Sequence, residues 1–239
     1  MTPLKTPIAD DGSSPLGYAV KFETVRGSGA DLRMRSLLDR QQFHDPHGEA
    51  ERAGISSALW PLFGLLWPSG QVLAHTMLAF ELDGKRILEL GCGLALASMV
   101  IHRRGGDVTA SDCHPLAESF LKENLRLNHL PPMKYRTGNW GRSASDMGRF
   151  DLIIGSDLLY DRNQPQALSA FIDEHSCSTV EVVIVDPDRG NISGFNRHMT
   201  GLGYTHCQSR VSRLPDGETA YKGRVHSYGR SQTADKAAG

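Results

Sequence analysis

The chain has 239 residues, of which 39% are hydrophobic, and its 26 basic and 27 acidic residues leave a net charge of −1. This size predicts one substantial hydrophobic core, and therefore a single domain with extensions rather than two independent units. The balanced charge gives no reason to expect binding to nucleic acid or to a membrane.

No stretch approaches the roughly 18 consecutive apolar residues of a membrane span, and the first residues lack the apolar segment of a signal peptide. The four cysteines are scattered without a C-x-x-C pair, which is typical of reduced thiols. His44 and His47 suggest a metal site, but Pro46 breaks the helix that would bring both rings to one face. We predict a cytoplasmic monomer that binds no metal.

Composition divides the chain into four segments. Both ends are rich in small and polar residues and are predicted to be flexible. Two alternating runs, Tyr18–Val25 and Ala30–Leu37, flank a glycine-containing turn and predict a β-hairpin. The predicted segments are a flexible N-terminus (1–16), an N-terminal β-hairpin extension (17–57), the main domain (58–230) and a flexible tail (231–239).

The main domain opens with an apolar run. Trp60, Phe63, Leu65, Leu66 and Trp67 lie so close together that they indicate a core or the wall of a pocket. Helical spacing then predicts a helix over residues 70–82.

From Arg86 onward, predicted strands alternate with predicted helices. The strands are Arg86–Leu90, Val108–Ser111, Lys134–Asn139, Asp151–Ser156 and Val180–Val185. Such alternation predicts a parallel sheet with helices on both faces. Two further strand-like runs, Tyr204–Ser212 and Gly223–Tyr228, predict a C-terminal antiparallel hairpin. The predicted fold is α/β, with a Rossmann-like sheet of seven mostly parallel strands.

The sequence RILELGCGLALA, which starts at Arg86, combines a buried strand, a Gly-Cys-Gly turn and the start of a helix. Gly91 and Gly93 allow the backbone to approach a ligand closely. Asp112 ends the next strand, where its carboxylate can accept hydrogen bonds from a ribose diol. These features predict a nucleoside pocket. The alternative is that Glu89 only caps the helix and the glycines only turn the chain.

The type of nucleoside depends on two positions. A dinucleotide fingerprint needs a third small residue where this chain has Leu96, which argues against NAD and FAD. Glu89 would repel a phosphate but suits the ammonium group of a cationic amino acid. We therefore predict S-adenosylmethionine as the cofactor.

Asp157 follows another predicted strand, at the same edge of the sheet. Its carboxylate could position a lysine ammonium and accept the proton that must leave before the amine reacts. Tyr160, three residues later, could form an aromatic wall for that cation. The alternative is that Asp157 caps the following helix and Tyr160 packs on the surface.

Three more side chains are candidates for the cofactor site. The amide of Asn139 could bind the adenine edge, and the indole of Trp140 could stack on the ring. Trp67 could cover the cofactor. Core packing explains either tryptophan equally well.

The motifs WPSGQVLA, ILELGCG, ASD, NW and GSDLLYD occur in this order before the final hairpin. This order resembles the seven-strand S-adenosylmethionine methyltransferases, and specifically the family-16 group of protein-lysine methyltransferases. The match spans residues 18–228. The resemblance implies an acceptor site at Asp157 and Tyr160, and cofactor contacts at Trp67, Glu89, Gly91, Gly93, Asp112, Trp140 and Ser156.

The chain departs from the family pattern at two positions. Ala95 stands where a third glycine is usual, and Asn139 replaces a residue that is commonly acidic. We expect weaker cofactor binding than in typical members. The segment VDPDRGN resembles a D-P-x-R stretch of members that methylate the electron-transfer flavoprotein β subunit. We interpret it as a loop in which Asp188 and Arg189 are solvated, although Arg189 could contact an acidic partner protein.

The expected function is an S-adenosylmethionine-dependent N-methyltransferase that modifies a lysine of a protein substrate. Two alternatives remain open at this point: a methyltransferase for a small amine such as a nicotinamide-like pyridine carboxamide, and a non-catalytic interaction module with the same fold. The sequence contains no G-x-S-x-G, P-loop or Asn/Asp-Pro-Pro-aromatic motif, so we do not expect a hydrolase, an NTPase or a nucleobase methyltransferase.

Overall fold

The structure is a computed structural model that describes residues 18–27, 29–140 and 147–231. The predicted flexible segment 1–16 and the tail beyond Ser231 lie outside these residues. The strands are β1 (Val20–Val25), β2 (Leu32–Leu37), β3 (Arg86–Leu90), β4 (Asp107–Asp112), β5 (Lys134–Thr137), β6 (Phe150–Ser156), β7 (Ser176–Asp186), β8 (Thr205–Arg213) and β9 (Ala220–Ser231). The α-helices are α1 (Glu49–Arg52), α2 (Pro68–Thr76), α3 (Leu96–Arg103), α4 (Ala117–Leu127), α5 (Gln164–Glu174) and α6 (Ile192–Gly201), and a 3₁₀ helix spans Ser57–Gly64.

Seven strands form one sheet in the order β5-β4-β3-β6-β7-β9-β8. Strands β3 to β7 are parallel, and β9 runs antiparallel between β7 and β8. The predicted seven-stranded α/β fold with a reversed C-terminal hairpin is thus confirmed. Because β4 and β6 lie on opposite sides of β3, the carboxyl ends of these three strands border the switch point where open α/β sheets bind ligands.

Neighbouring residues of each strand point to opposite faces of the sheet. Ile87 and Ile154 belong to a core shared with residues of α2, α3 and α4. Leu88 and Ile153 belong to a second core with residues of α5 and α6. Helices therefore cover both faces, as predicted.

The main error in the predicted elements concerns α2. The helix occupies Pro68–Thr76 rather than 70–82. Pro68 favours the first helical turn because its missing N–H needs no partner there. At the other end, the Arg104 guanidinium donates to the carbonyl oxygens of Met77 and Phe80. This contact between distant residues satisfies carbonyl groups just beyond the helix, and local spacing cannot reveal it.

Strands β1 and β2 pair antiparallel, from Val20 opposite Leu37 to Val25 opposite Leu32, and confirm the predicted N-terminal hairpin. One asparagine of α4 and the asparagine that directly follows this helix bind the backbone of β2. Asn124 accepts from the N–H of Arg35 at 2.7 Å and donates to its carbonyl at 3.2 Å. One helical turn later, Asn128 does the same with Arg33, at 2.8 and 2.7 Å. The two side-chain amides thus bind the N–H and carbonyl groups at the outer edge of β2, as a third strand would.

The hairpin also packs against the 3₁₀ helix. The side chain of Leu37 fills the space above Gly64, where a Cβ atom would lie only 2.5 Å from the Leu37 Cγ atom. Leu37 is fully buried. The extension therefore supports the segment that carries the apolar run of the main domain.

Among the described residues, no helix combines the length and the apolar character needed to cross a membrane.

We expect Asn124→Ala to lower the free energy of unfolding by about 1–3 kcal/mol, because Asn124 is fully buried and the substitution removes its amide from the partly buried N–H and carbonyl of Arg35. Asn128→Ala is the matched control. Its site is only partly buried, water can replace the amide, and the cost should stay below about 1 kcal/mol. Urea unfolding measures both variants. Equal losses would contradict the proposed anchoring role of Asn124.

Candidate functional site

A cavity opens at the carboxyl ends of β3, β4 and β6, where the topology predicts ligand binding. About 1010 Å³ of space lies between its walls, including the part open to solvent. Nine of the ten predicted site residues line it: Trp67, Glu89, Gly91, Gly93, Asp112, Trp140, Ser156, Asp157 and Tyr160.

The turn after β3 has an unusual backbone. Gly91, Gly93 and Ala95 have φ angles of 55°, 52° and 57°, all in the left-handed region. A Cβ atom on Gly93 would lie 2.8 Å from the carbonyl oxygen of Phe63, and one on Gly91 would lie 2.5 Å from the Leu158 side chain. The glycines are therefore required both by conformation and by the close approach of their neighbours.

Glu89 is buried at the base of the turn. Its Oε2 accepts a hydrogen bond from the Ser98 N–H at 2.8 Å and another from the Ser98 hydroxyl. The carboxylate thus caps α3 and also lines the cavity, so the two interpretations of Glu89 are compatible. Burial raises the pKa of Glu89 to about 7, because desolvation disfavours the charged form.

Asp112 connects the turn to the end of β4. Its Oδ2 accepts from the Gly93 N–H at 2.8 Å and its Oδ1 from the His114 N–H at 2.9 Å. Burial raises the pKa of Asp112 as well. The His114 ring stacks on Phe63 with centroids 3.8 Å apart. Burial lowers the pKa of His114 to about 4, so this ring is neutral at pH 7.

Asp157 also lines the cavity, just after β6. Its φ angle is 55°, an uncommon conformation for a residue other than glycine, of a kind that clusters at functional sites. The Arg189 Nε donates to its Oδ1 at 2.6 Å. The hydrogen bond that Arg189 donates to Asp157 raises the pKa of Arg189, so the guanidinium stays charged.

The segment that contains Arg189 corrects one expectation. Asp188 and Arg189 were expected to be solvated. Arg189 is exposed, as expected, but it also lines the cavity. Asp188 is largely buried and accepts from Arg224 of β9 at 2.6 Å. The expectation failed for Asp188 because Asp188 and Arg224 lie 36 positions apart in the sequence, beyond the reach of any local pattern.

The aromatic candidates occupy different parts of the wall. Trp140 faces the turn, with its ring 3.3 Å from the place where a Gly91 Cβ would lie. Trp67 uses its indole N–H to bind the carbonyl of Leu62 at 2.8 Å. Tyr160 is 41% exposed at the rim. Asn139 is partly buried and is absent from the cavity lining among the described residues, so its role stays a prediction.

Much of the remaining wall comes from residues that were not predicted individually. The apolar run after Ser57 was interpreted as core or pocket wall, and its 3₁₀ helix does line the cavity. Cys113 and His114 follow Asp112 at the adenosine side predicted for the pocket. The additional apolar lining residues are Ile55, Leu59, Leu62, Phe63, Leu65, Leu66, Leu94, Leu96 and Leu158.

The charges of the cavity favour a cationic ligand. Among the residues that the structure describes, three carboxyl groups, those of Glu89, Asp112 and Asp157, line it together with one guanidinium, that of Arg189. A cavity with an excess of carboxylates between apolar walls attracts positive charge and repels phosphate. A sulfonium or an ammonium group therefore suits this space better than a dinucleotide.

Gly93→Ala should lower the free energy of unfolding by more than about 2 kcal/mol, because strain in the left-handed region adds to a clash with a backbone carbonyl. Gly91→Ala should cost less, since its obstacle is the flexible end of a side chain. Gly84→Ala is the control for strain alone: its φ is 69° and a Cβ there has no neighbour within 4 Å. Thermal unfolding ranks the three variants, and a different order would contradict this account of the turn.

Glu89 should make the protein less stable as pH rises. Its pKa is raised in the folded protein, so its stabilising contribution is complete below the unfolded value of about 4.5 and is lost as pH passes through about 7. Glu89→Gln should remove this dependence, with a difference of up to about 3 kcal/mol in the pH profile. Exposed Glu81→Gln should leave the profile unchanged. Urea unfolding between pH 5 and pH 8 measures the effect, and parallel profiles for the wild type and Glu89→Gln would exclude it.

Comparison with known proteins gives a consistent result. A family model described as lysine methyltransferase matches residues 54–194. The electron transfer flavoprotein beta subunit lysine methyltransferase of Mus musculus is 30% identical over 189 residues, which cover 76% of this chain and 71% of that relative. Protein N-lysine methyltransferase METTL21A of Xenopus tropicalis is 29% identical over 136 residues, which cover 53% of this chain and 62% of that relative.

Solved structures resemble the fold. A methyltransferase from Pyrococcus furiosus has a TM-score of 0.56 at 16% identity and covers 67% of this chain and 83% of its own. Magnesium protoporphyrin IX methyltransferase from Synechocystis PCC 6803, solved with bound S-adenosylmethionine, has a TM-score of 0.54 at 16% identity and covers 68% of this chain and 78% of its own. At these identities the likeness concerns the fold alone.

Proposed function

The chain belongs to the lysine methyltransferase family, and we propose that it transfers a methyl group from S-adenosylmethionine to the side-chain amine of a lysine in a protein substrate. The family predicted from the motifs is thereby confirmed. The identity of the acceptor and the roles of individual residues remain proposals. They rest on one observation: a single cavity joins the glycine turn and Asp112 to Asp157.

The cavity suits the cofactor in shape and in charge. Gly91 and Gly93 line it without side chains, so the backbone of the turn itself would face the cofactor. Asp112 would bind the ribose hydroxyls, and Glu89 would face the amino-acid ammonium. When bound, S-adenosylmethionine supplies an electrophilic methyl group on a sulfonium. Trp67, Trp140 and Ser156 would complete the cofactor side of the wall.

Asp157 is the proposed catalytic residue. A lysine amine has an ordinary pKa of about 10.4 and reaches the site as an ammonium. The carboxylate would bind and orient that ammonium, and transfer of its proton to Asp157 or to water would free the nitrogen lone pair. Alignment of this lone pair is the main contribution that an enzyme makes to such a displacement. Tyr160 would contact the cation through its ring.

The exposure of the acceptor end favours a protein substrate over a small amine. Tyr160 is 41% exposed and the Arg189 side chain is 40% exposed, so the rim of the cavity meets bulk solvent. A side chain can enter from the surface of another protein at such a rim. The departure at Ala95 does not argue for a non-catalytic module, because this residue is buried and adopts the left-handed conformation of the turn.

The proposal also covers the compartment, the oligomeric state and the partner of the enzyme. The four cysteines are free thiols, as expected in a reducing compartment. We therefore propose that the protein works in the cytoplasm, as a monomer, on another protein rather than on nucleic acid.

Asp157→Ala should abolish methyl transfer and change the affinity for S-adenosylmethionine by less than about tenfold, or 1.4 kcal/mol. Asp157→Asn should be nearly as inactive, because an amide keeps the shape but neither attracts the ammonium nor accepts its proton. Asp161→Asn is the matched control, since Asp161 is an exposed carboxylate four residues away. Titration calorimetry measures cofactor binding.

Activity is measured with labelled cofactor in a cell extract, followed by mass spectrometry of the labelled product. Methyl-lysine in a protein supports the proposal, and a labelled small amine would replace it. Full turnover by Asp157→Ala would remove Asp157 from the mechanism. Absence of cofactor binding by the wild type would leave only the interaction-module alternative.

A further inference from the structure

The carboxylate of Asp157, which we propose binds the acceptor lysine, already forms an ion pair. Arg189 binds Asp157 with an Nε to Oδ1 distance of 2.6 Å. The side chain of Asp157 is only 11% exposed, whereas that of Arg189 is 40% exposed. An ammonium that approaches Asp157 must therefore share one carboxylate with a permanent positive charge on the solvent side of the pair.

Arg189 is held in place by its backbone as well as by its side chain. The Arg189 N–H donates to the fully buried Asp186 at 2.7 Å. Asn191, two residues later, donates from Nδ2 to the carbonyl of Leu159 at 2.9 Å. The loop between β7 and α6 is thus connected to the segment that carries Asp157 and Tyr160. The position of the guanidinium is built into the fold, unlike that of an unconstrained surface side chain.

The guanidinium can bind a second carboxylate. Among the described residues, its hydrogen bonds use Nε alone. The two terminal nitrogens, Nη1 and Nη2, form a planar pair that matches a carboxylate, and such bidentate pairs are among the strongest polar contacts. A carboxylate supplied by the substrate would also offset the repulsion between the guanidinium and the incoming ammonium.

We propose that Arg189 is a specificity-determining residue that selects lysines with an acidic neighbour in the substrate protein. The inference rests on the proposed lysine methyltransferase function and deepens it. A lysine next to Glu or Asp presents an ammonium to Asp157 and a carboxylate to Arg189. A lysine among neutral residues meets the positive charge of Arg189 without compensation and binds less well.

The test uses two short peptides that differ only next to one lysine, with Glu at both flanking positions in one and Gln in the other. The wild type should show a higher kcat/KM for the Glu peptide, by roughly twofold to fivefold as for a partly exposed ion pair. Arg189→Met keeps the apolar stem but removes the charge. It should abolish the preference and raise the activity toward the Gln peptide.

Arg224→Met is the matched control. Arg224 forms a similar pair with Asp188 on the same loop, at 2.6 Å and with 35% side-chain exposure, but it is not among the described residues that line the cavity. Loosening of the loop would affect both variants, whereas loss of selection should occur only in Arg189→Met. A preference that persists in Arg189→Met, or disappears equally in Arg224→Met, would overturn the inference.

Calorimetric titration of both peptides, in the presence of S-adenosylhomocysteine, separates this inference from the proposed function. If neither peptide nor any protein of a cell extract is methylated, but the Glu peptide binds more tightly through Arg189, the methyltransferase proposal fails and the selection stands. If both peptides are methylated and bound equally well, the selection fails and the methyltransferase stands. Equal binding without methylation counts against both.

Discussion

Two hydrogen bonds to backbone N–H groups determine the shape of the cofactor end. The Asp112 carboxylate binds the N–H of Gly93, and the Glu89 carboxylate binds the N–H of Ser98. The chain passes through three left-handed residues, Gly91, Gly93 and Ala95, before α3 begins. Because both carboxylates belong to strands of the central sheet, the rigid sheet fixes a turn that would otherwise be strained. The position of Trp140, the 3₁₀ helix and α3 then follows from contact with that turn.

The burial of Glu89 and Asp112 makes the charged forms of these two carboxylates unfavourable. Burial raises the pKa values of Glu89 and Asp112, which means that the folded protein without a ligand holds these groups unfavourably when they are charged. A cationic ligand removes that penalty, so part of the free energy of binding comes from groups that are poorly solvated beforehand. Arg189 already provides this compensation for Asp157. Among the lining residues that the structure describes, Glu89 and Asp112 thus have no cationic partner, whereas Asp157 has one.

Local sequence patterns predicted the residues that lie at strand ends. Glu89, Gly91, Gly93, Asp112 and Asp157 were identified because a parallel sheet brings the carboxyl ends of its strands to one edge. Long-range contacts were not predictable. The end of α2 depends on Arg104, and Arg189 reaches Asp157 across 32 positions. The apolar 3₁₀ helix was recognised only as core or wall, because composition does not tell which side of such a segment faces a ligand.

Through the contact between Leu37 and Gly64, the N-terminal hairpin supports one wall of the cavity. Leu37 fills the groove above Gly64, and Gly64 ends the 3₁₀ helix that supplies Phe63 to the cavity and to the stack with His114. A truncated chain that began at the central sheet would lose this support and would expose the apolar back of its own ligand wall. In divergent relatives, changes at Leu37 and Gly64 should therefore accompany each other. Replacement of the hairpin should change the shape of the pocket without changing the sheet.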